Sequence, residues 1–145
     1  MTILFVCTGN TCRSPMAEAL MRAELHRRGV TAAVSSAGLA ASGEPAAANA
    51  VAVLAEVGLD LTRHRSRPLT REMADAADVI AVMTDQHRAM LIAAGVPAEK
   101  LRVLGGGIPD PFGGDEAVYR RTRDALAAAV AALADELFPP TESAL

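Results

Sequence analysis

The chain has 145 residues, the size of one domain; 51% of them are hydrophobic and the formal net charge is −3. The balance of charges argues against a nucleic acid partner, and no apolar run approaches the roughly 18 residues of a membrane span. Cys7 and Cys12, the only two cysteines, are too few for a disulfide framework and favour a reducing cytoplasm. We predict one domain over residues 1–145, with a frayed tail at 139–145.

Short apolar runs alternate with segments of helical periodicity along the whole chain. The run at 3–6 (ILFV) is typical of a parallel strand that is buried on both faces. Further strands are predicted at 33–36, 79–83 and 101–104, and helices at 15–28, 46–57, 71–74, 84–94 and 116–137. The alternation predicts an α/β fold with a parallel sheet covered by helices on both sides.

Two polar loops are expected to meet at one edge of this sheet. The stretch VCTGNTCRSP, residues 6–15, follows the first strand, and GGGIPDPFGGD, residues 105–115, follows the last one. Ser14 and Pro15 predict a helix N-cap and the first helical position. Because ligands of parallel sheets bind beyond the carboxyl ends of the strands, these loops are the predicted site.

The first loop has the composition of a phosphoryl-binding site with a nucleophile. Its backbone N–H groups and the following helix N-terminus attract an anion, and Gly9 is expected to let the backbone turn there. Arg13 adds a planar fork that can hold two phosphoryl oxygens. The same dipoles and charge stabilise a thiolate at Cys7, which is then placed to attack phosphorus, and the Ser14 hydroxyl can donate a hydrogen bond to that sulfur.

Asp110 is the candidate general acid and base. It lies between Pro109 and Pro111, which restrict the backbone and therefore fix the direction of the carboxyl group. A carboxylic acid over the site can protonate the leaving atom and then deprotonate the attacking water. Taken alone, an aspartate in so glycine-rich a loop is an ordinary turn residue.

The remaining polar residues near the loop carry weaker expectations. Ser36 and His64 are predicted to hold Asn10, a residue type that tolerates the left-handed conformation. Cys12 is either a filler of the loop interior or a redox guard that captures oxidised Cys7 as a disulfide. His26 and His87 are expected at solvated helix positions.

These motifs resemble the low-molecular-weight protein tyrosine phosphatase family over essentially the whole chain. The resemblance rests on C-x5-R-S from Cys7 to Ser14, on S-A-G at 36–38 and on D-P-F at 110–112. It implies a three-layer sandwich with a four-stranded sheet in the flavodoxin-like order 2-1-3-4. It also implies a Cys7 thiophosphate intermediate and no metal or cofactor. The substrate-binding residues that it implies are Thr8, Gly9, Asn10, Thr11, Cys12, Arg13 and Ser14, and the loop supports are Asn10, Ser14, Ser36 and His64.

Within the family the chain resembles most the bacterial protein arginine phosphatases, in CTGNTCRSPMAE at 7–18 and DPFGG at 110–114. Tyrosine-directed members usually have an aliphatic residue in place of Thr11 and a tyrosine in place of Phe112. Thr11 and Phe112 are therefore the predicted specificity residues. The resemblance favours phosphoarginine proteins as substrates, with phosphotyrosine proteins as the alternative, inorganic phosphate as product, and a monomer.

Three other functions fit the sequence less well. Arsenate reductases that share the loop need two further cysteines late in the chain, and none follows Cys12. A flavodoxin-like electron carrier would stack aromatic residues on its flavin, whereas this chain has no tryptophan and one tyrosine. A module that only binds phosphate needs neither a thiol nor an acid.

Overall fold

The architecture of the chain is a parallel sheet between two layers of helices. A computed structural model describes residues 1–140. The strands are β1 (Thr2–Cys7), β2 (Ala33–Gly38), β3 (Val79–Val82) and β4 (Leu101–Val103). The helices are α1 (Arg13–Arg28), α2 (Ala48–Ala55), α3 (Arg71–Ala76), α4 (Asp85–Ala93) and α5 (Glu116–Leu137). Two short 3-10 turns lie at Ala98–Lys100 and Leu104–Gly106. The predicted tail at 139–145 lies mostly outside the described residues.

The sheet has the predicted topology. Its order is β2-β1-β3-β4 and every pairing is parallel. The first strand is therefore central, and its carboxyl end opens between the ends of β2 and β3. This placement confirms the expected α/β class and the 2-1-3-4 order.

Both faces of the central strand are buried, as its unbroken apolar run predicts. Ile3 and Phe5 pack into a core with α1, α2 and α5, whereas Leu4 and Val6 face α3 and α4. All four of these side chains are at most 1% exposed. Because strand side chains alternate, this burial fixes the register of β1 and with it the position of Cys7 at the edge.

The ends of several helices follow their sequence signals. Gly29 ends α1 in the left-handed conformation (φ 66°), and the side chains of Thr70, Thr84 and Asp115 accept hydrogen bonds from backbone N–H groups in the first turns of α3, α4 and α5. The prediction for Ser14 was wrong. The first helix begins at Arg13 with Cys12 at the N-cap position and no side-chain cap, so Ser14 and Pro15 lie inside the first turn. The Ser14 hydroxyl contacts Cys7 and Asn10 instead.

The loop after β4 bends back over the sheet edge. Gly105, Gly106 and Gly107 all have positive φ (56°, 72° and 123°), a run that only glycine adopts readily. The N–H of Ile108 then donates to the carbonyl of Met83, just past β3 (2.7 Å). This hydrogen bond places residues 108–112 near the carboxyl end of β1. None of the helices within residues 1–140 is long and apolar enough to cross a membrane.

Candidate active site

The sulfur of Cys7 lies at the closed end of a cavity formed by the first loop. The residue ends β1 and is 2% exposed. Its Sγ accepts the backbone N–H of Asn10 (3.3 Å) and lies 2.9 Å from the Ser14 hydroxyl. Residues 7–13 line the cavity above it. A nucleophile at the floor, surrounded by donors, is the arrangement that attack on a bound phosphoryl group requires.

Asn10 holds the loop in shape. It has the only positive φ (55°) among the described non-glycine residues, and it is fully buried. Its side-chain amide donates to the hydroxyls of Ser14 (2.8 Å) and Ser36 (3.0 Å). Its side-chain oxygen accepts the N–H of Arg67 (3.0 Å), and its carbonyl lies 2.7 Å from Nε2 of His64. Ser36 and His64 thus contact Asn10, where sequence reasoning expected them.

Gly9 does not make the tight turn that was expected of it, because the positive φ belongs to Asn10. Gly9 has no positive φ, and a Cβ placed there would meet only the Thr11 hydroxyl, at 3.6 Å. The glycine that the loop needs is Gly38, which pairs with Cys7 across the sheet. A Cβ at Gly38 would lie 2.7 Å from the carbonyl oxygen of Thr8 and 3.0 Å from Asn10. The loop therefore rests directly on the backbone of β2.

Arg13 reaches the cavity from the first turn of α1. It is 4% exposed, and its Nη1 donates to the carbonyl oxygen of Ile108 (2.9 Å). Its Nη2 lies 3.7 Å from the Asp110 carboxylate. One guanidinium nitrogen of Arg13 is thus fixed by a backbone carbonyl, while the rest of the group faces the cavity. The positive charge of Arg13 is therefore already positioned for an anion.

Asp110 stands at the mouth, about half exposed (53% of its side chain). Its Oδ1 accepts the N–H of Phe112 (3.1 Å), which restrains the carboxyl group beside the cavity that it lines with Cys7. Phe112 is itself 81% exposed at the rim. A carboxyl group in this position can exchange protons with a leaving group or with water.

The Cys12 side chain is buried and forms a hydrogen bond with a residue of α5. Its Sγ lies 3.3 Å from the hydroxyl of Tyr119, and both residues are buried. Burial raises the pKa of the Cys12 thiol and that of the Tyr119 phenol above their usual ranges. Both cysteines are free thiols. The redox role of Cys12 stays a prediction.

His87 is not the solvated helix residue that was expected. It is 5% exposed, in the first turn of α4, and its Nε2 lies 2.9 Å from the hydroxyl of Thr8, which lines the cavity. Burial, and to a lesser extent the charge of Arg13, lowers the pKa of His87. Thr84 caps α4 and so holds His87 in its first turn, but nothing in the local sequence points to the contact with Thr8.

A further part of the cavity wall is small and polar. It is formed by Ala40, Ser42 and Glu44, and Ser42 donates to the Glu44 carboxylate (3.2 Å). Two backbone N–H groups of this segment, those of Gly43 and Glu44, donate to the buried hydroxyl of Ser66. The Glu44 carboxylate thus belongs to the same cavity lining as the Arg13 guanidinium. Glu44 was not predicted, because nothing in its local sequence links it to the loop.

Comparison with known proteins agrees with this geometry. The family model described as low molecular weight phosphotyrosine protein phosphatase matches residues 2–140. The chain belongs to this family. The identification made from the C-x5-R-S and D-P-F motifs is confirmed, and with it the enzyme class of phosphatase. Within residues 1–140, no group of three histidine, cysteine or acidic side chains is arranged to hold a metal ion.

Relatives of both specificities are similar to the chain. A protein-arginine-phosphatase of Bacillus subtilis (strain 168) is 42% identical over 146 residues, covering 94% of this chain and 97% of that protein. The tyrosine phosphatase Etp of Escherichia coli (strain K12) is 40% identical over 132 residues, covering 86% and 82%. A solved YwlE arginine phosphatase, a cysteine-to-serine mutant with a phosphorylated active-site serine, superposes with a TM-score of 0.91 at 40% identity, covering 97% of this chain and 98% of that one.

Proposed function

We propose that this protein hydrolyses phosphoarginine in proteins through a covalent intermediate on Cys7. The Cys7 thiolate attacks phosphorus in line with the leaving nitrogen, so that an S–P bond forms as the N–P bond breaks. Asp110 gives its proton to that nitrogen. Arg13 and the backbone N–H groups of the loop hold the oxygens, where charge develops.

The second step regenerates the enzyme. Asp110, now a carboxylate, takes a proton from a water molecule whose oxygen attacks phosphorus. The S–P bond breaks, the electron pair returns to sulfur and inorganic phosphate leaves. The Ser14 hydroxyl, 2.9 Å from Sγ, stabilises the departing thiolate by donating a hydrogen bond.

The observation that carries the choice of phosphoarginine is the polarity of the cavity wall. Thr11 lines the cavity, and among the described residues its hydroxyl has only a 3.7 Å contact to the sulfur of Cys12. It therefore keeps hydrogen-bonding capacity for a substrate. Asp110 and Glu44 add two carboxyl groups at the mouth, and Phe112 is the only aromatic residue among the described residues that line it. A guanidinium group has several N–H donors for such a wall, whereas a phenyl ring has none.

Phosphotyrosine in proteins is the alternative substrate. The exposed ring of Phe112 can stack on an aromatic substrate, and the similar Etp is a tyrosine phosphatase. The two substrates differ in how they use Thr11. Loss of its hydroxyl leaves a guanidinium donor unpaired but does not affect a phenyl ring.

The decisive measurement is kcat/KM for a phosphoarginine peptide and for the matching phosphotyrosine peptide. Phosphoarginine is expected to be the better substrate. Thr11→Val, which keeps the shape and removes the hydroxyl, should lower the phosphoarginine-to-phosphotyrosine ratio roughly fivefold, because a net hydrogen bond is worth about 1 kcal/mol. Thr11→Ile should lower it further, and Thr11→Ser should retain it. A wild-type preference for phosphotyrosine, or a ratio that Thr11→Val leaves unchanged, would contradict the proposal.

The nucleophile is tested by Cys7→Ser. Turnover of either peptide should fall to the background rate, because a serine hydroxyl in this loop is a far weaker nucleophile than the thiolate, while inorganic phosphate should still bind. Full activity in this variant would disprove the mechanism.

The setting that we propose is the cytoplasm, where the protein acts as a monomer. Two free thiols favour a reducing compartment. A single chain supplies the loop, the arginine and the acid, so that hydrolysis needs no second copy.

A further inference from the structure

The most unusual buried group near the cavity is the imidazole of His87. Its Nε2 contacts the Thr8 hydroxyl at 2.9 Å. Its Nδ1 is the only buried side-chain nitrogen or oxygen within residues 1–140 that has no hydrogen-bond partner. Since buried polar atoms are nearly always paired, this atom restricts the state of the ring.

The ring has three possible states, and two of them leave a buried N–H without an acceptor. An imidazolium carries protons on both nitrogens, and the Nδ1–H tautomer carries its proton on the unpaired atom. Orphaned buried N–H groups are rarer than orphaned acceptors. Burial, and then the nearby guanidinium of Arg13, lower the pKa of the ring and so disfavour a second proton on it, against a smaller opposite effect of Asp110. The positive end of α4 acts in the same direction as Arg13. The remaining state is the neutral Nε2–H tautomer.

This tautomer determines what the Thr8 hydroxyl can do. If Nε2–H donates, the Thr8 oxygen is the acceptor, and the single hydroxyl proton of Thr8 stays available. Thr8 follows Cys7 directly in the loop, and its exposed side chain lines the cavity. The hydroxyl is therefore a donor held at the wall of the site that takes the phosphoryl group.

We propose that His87 is a positioning residue, whose Nε2–H fixes the Thr8 hydroxyl as a hydrogen-bond donor to the phosphoryl oxygens of the substrate. The relay runs from His87 through Thr8 to the anion. This inference rests on the proposed function for the identity of the substrate, but the relay itself concerns only the phosphoryl group. It therefore applies to inorganic phosphate as well.

The relay predicts a specific kinetic pattern. The phosphoryl oxygens are present in both the bound substrate and the transition state, so loss of the bond should raise KM and leave kcat nearly unchanged. Thr8→Val and His87→Leu should each raise KM, and the inhibition constant of inorganic phosphate, by roughly tenfold, as expected for one hydrogen bond to a charged group. The double variant should be no weaker than either single one, because both remove the same bond.

Conservative variants separate this role from simple packing. Thr8→Ser retains the hydroxyl and should behave like the wild type, and His87→Gln, which can place an N–H near the position of Nε2, should recover part of the affinity. His26→Leu is the matched control, since His26 is exposed on α1 and should leave both constants unchanged. Effects of Thr8→Val and His87→Leu that simply add, or an unchanged phosphate inhibition constant, would overturn the proposal.

A spectroscopic test needs no turnover. The ¹⁵N chemical shifts of the His87 ring at neutral pH should be those of a neutral imidazole protonated on Nε2, and Nε2 should shift when inorganic phosphate is added. An Nδ1–H tautomer or a charged ring would overturn the relay. If the wild type hydrolyses neither peptide but phosphate binding and the ring shifts follow the pattern, the proposed function fails while the relay stands.

Discussion

Asn10 is the residue on which the shape of the first loop, which follows Cys7, depends most. Its left-handed backbone turns the chain, and its side chain joins α1, β2 and the segment at Arg67 by hydrogen bonds. A buried amide with all of these partners satisfied is rigid, because loss of any one of them leaves a polar group unpaired. The loop can therefore hold its N–H groups in place before the anion arrives.

Gly38 limits how this loop can be changed. Gly38→Ala would bring a Cβ within 2.7 Å of the Thr8 carbonyl oxygen, so that the loop backbone must move. We expect kcat/KM to fall roughly a hundredfold, as displacements near 1 Å can cause, and the free energy of unfolding to fall by about 1–3 kcal/mol.

Gly9→Ala is the matched control for stability, because its nearest new contact is an ordinary 3.6 Å. Urea unfolding and kinetics on both variants would check the prediction. An equal loss of stability in the two would mean that contact with the strand is not what limits position 38.

For single residues, the sequence predicted the reactive groups of the site but not all of the side chains that contact them. Cys7 and Arg13 were recognised because they lie only six positions apart in one loop. Asp110 was recognised because a proline stands on each side of it. His87 was missed because its partner Thr8 is 79 positions away, and only the folded sheet edge joins them. Gly9 was misjudged because a glycine and an asparagine are adjacent and either can adopt positive φ.

Between elements, the tie that stands out is a group of ion pairs between the end of α2 and α5. The Glu56 carboxylate accepts from Arg120 at 2.7 and 2.9 Å and from Arg123 at 2.7 Å. The hydrogen bonds from Arg120 and then Arg123 lower the pKa of Glu56 from its ordinary 4.5 to about 2. The tie offsets the unfavourable position of a negative charge at the C-terminal end of α2.

This tie gives stability a defined pH dependence. Because the pKa of Glu56 is lower in the folded than in the unfolded chain, its contribution is complete above about pH 4.5 and is lost as the pH falls towards about 2. Glu56→Gln should therefore lower the melting temperature at neutral pH, and the difference from the wild type should shrink across that window. Glu99→Gln, at an exposed glutamate whose side chain makes no ion pair among the described residues, is the control. A constant difference from pH 7 to pH 2 would refute the assignment.

Strand and helix identities were predictable from periodicity, but their ends were not. The strand at 79–83 stops at Val82 and the helix at 46–57 spans only Ala48–Ala55. In the first case Met83 leaves the ladder, because its carbonyl accepts Ile108 instead. In the second, α2 lacks a side-chain cap at its start. Such boundaries depend on contacts from distant loops, which periodicity does not contain.

In the whole molecule, the site unites the central strand, the first helix and the loop after the last strand. We expect an anion bound there to contact all of them and therefore to stabilise the fold by mass action. Inorganic phosphate at a hundred times its dissociation constant should add about 2.7 kcal/mol to the free energy of unfolding. Arg13→Lys should lose most of this gain, because a lysine cannot form the two-pronged contact.

Thermal unfolding in phosphate, against sodium chloride of equal ionic strength, measures this gain. Arg27→Lys, at an exposed arginine on the same helix, should respond as the wild type does. An equal gain in Arg13→Lys would place phosphate elsewhere on the molecule.

The bond from Arg13 to the Ile108 carbonyl joins residues 95 positions apart, and Cys12 meets Tyr119 across 107. Closing such long loops is slow, and contacts of this kind form late when a chain folds. A refolding chain can thus have its first strand and helix paired before the Arg13–Ile108 contact has closed the cavity above Cys7. We therefore expect helical circular dichroism to recover before catalysis during refolding, and simultaneous recovery of the two signals would contradict this order.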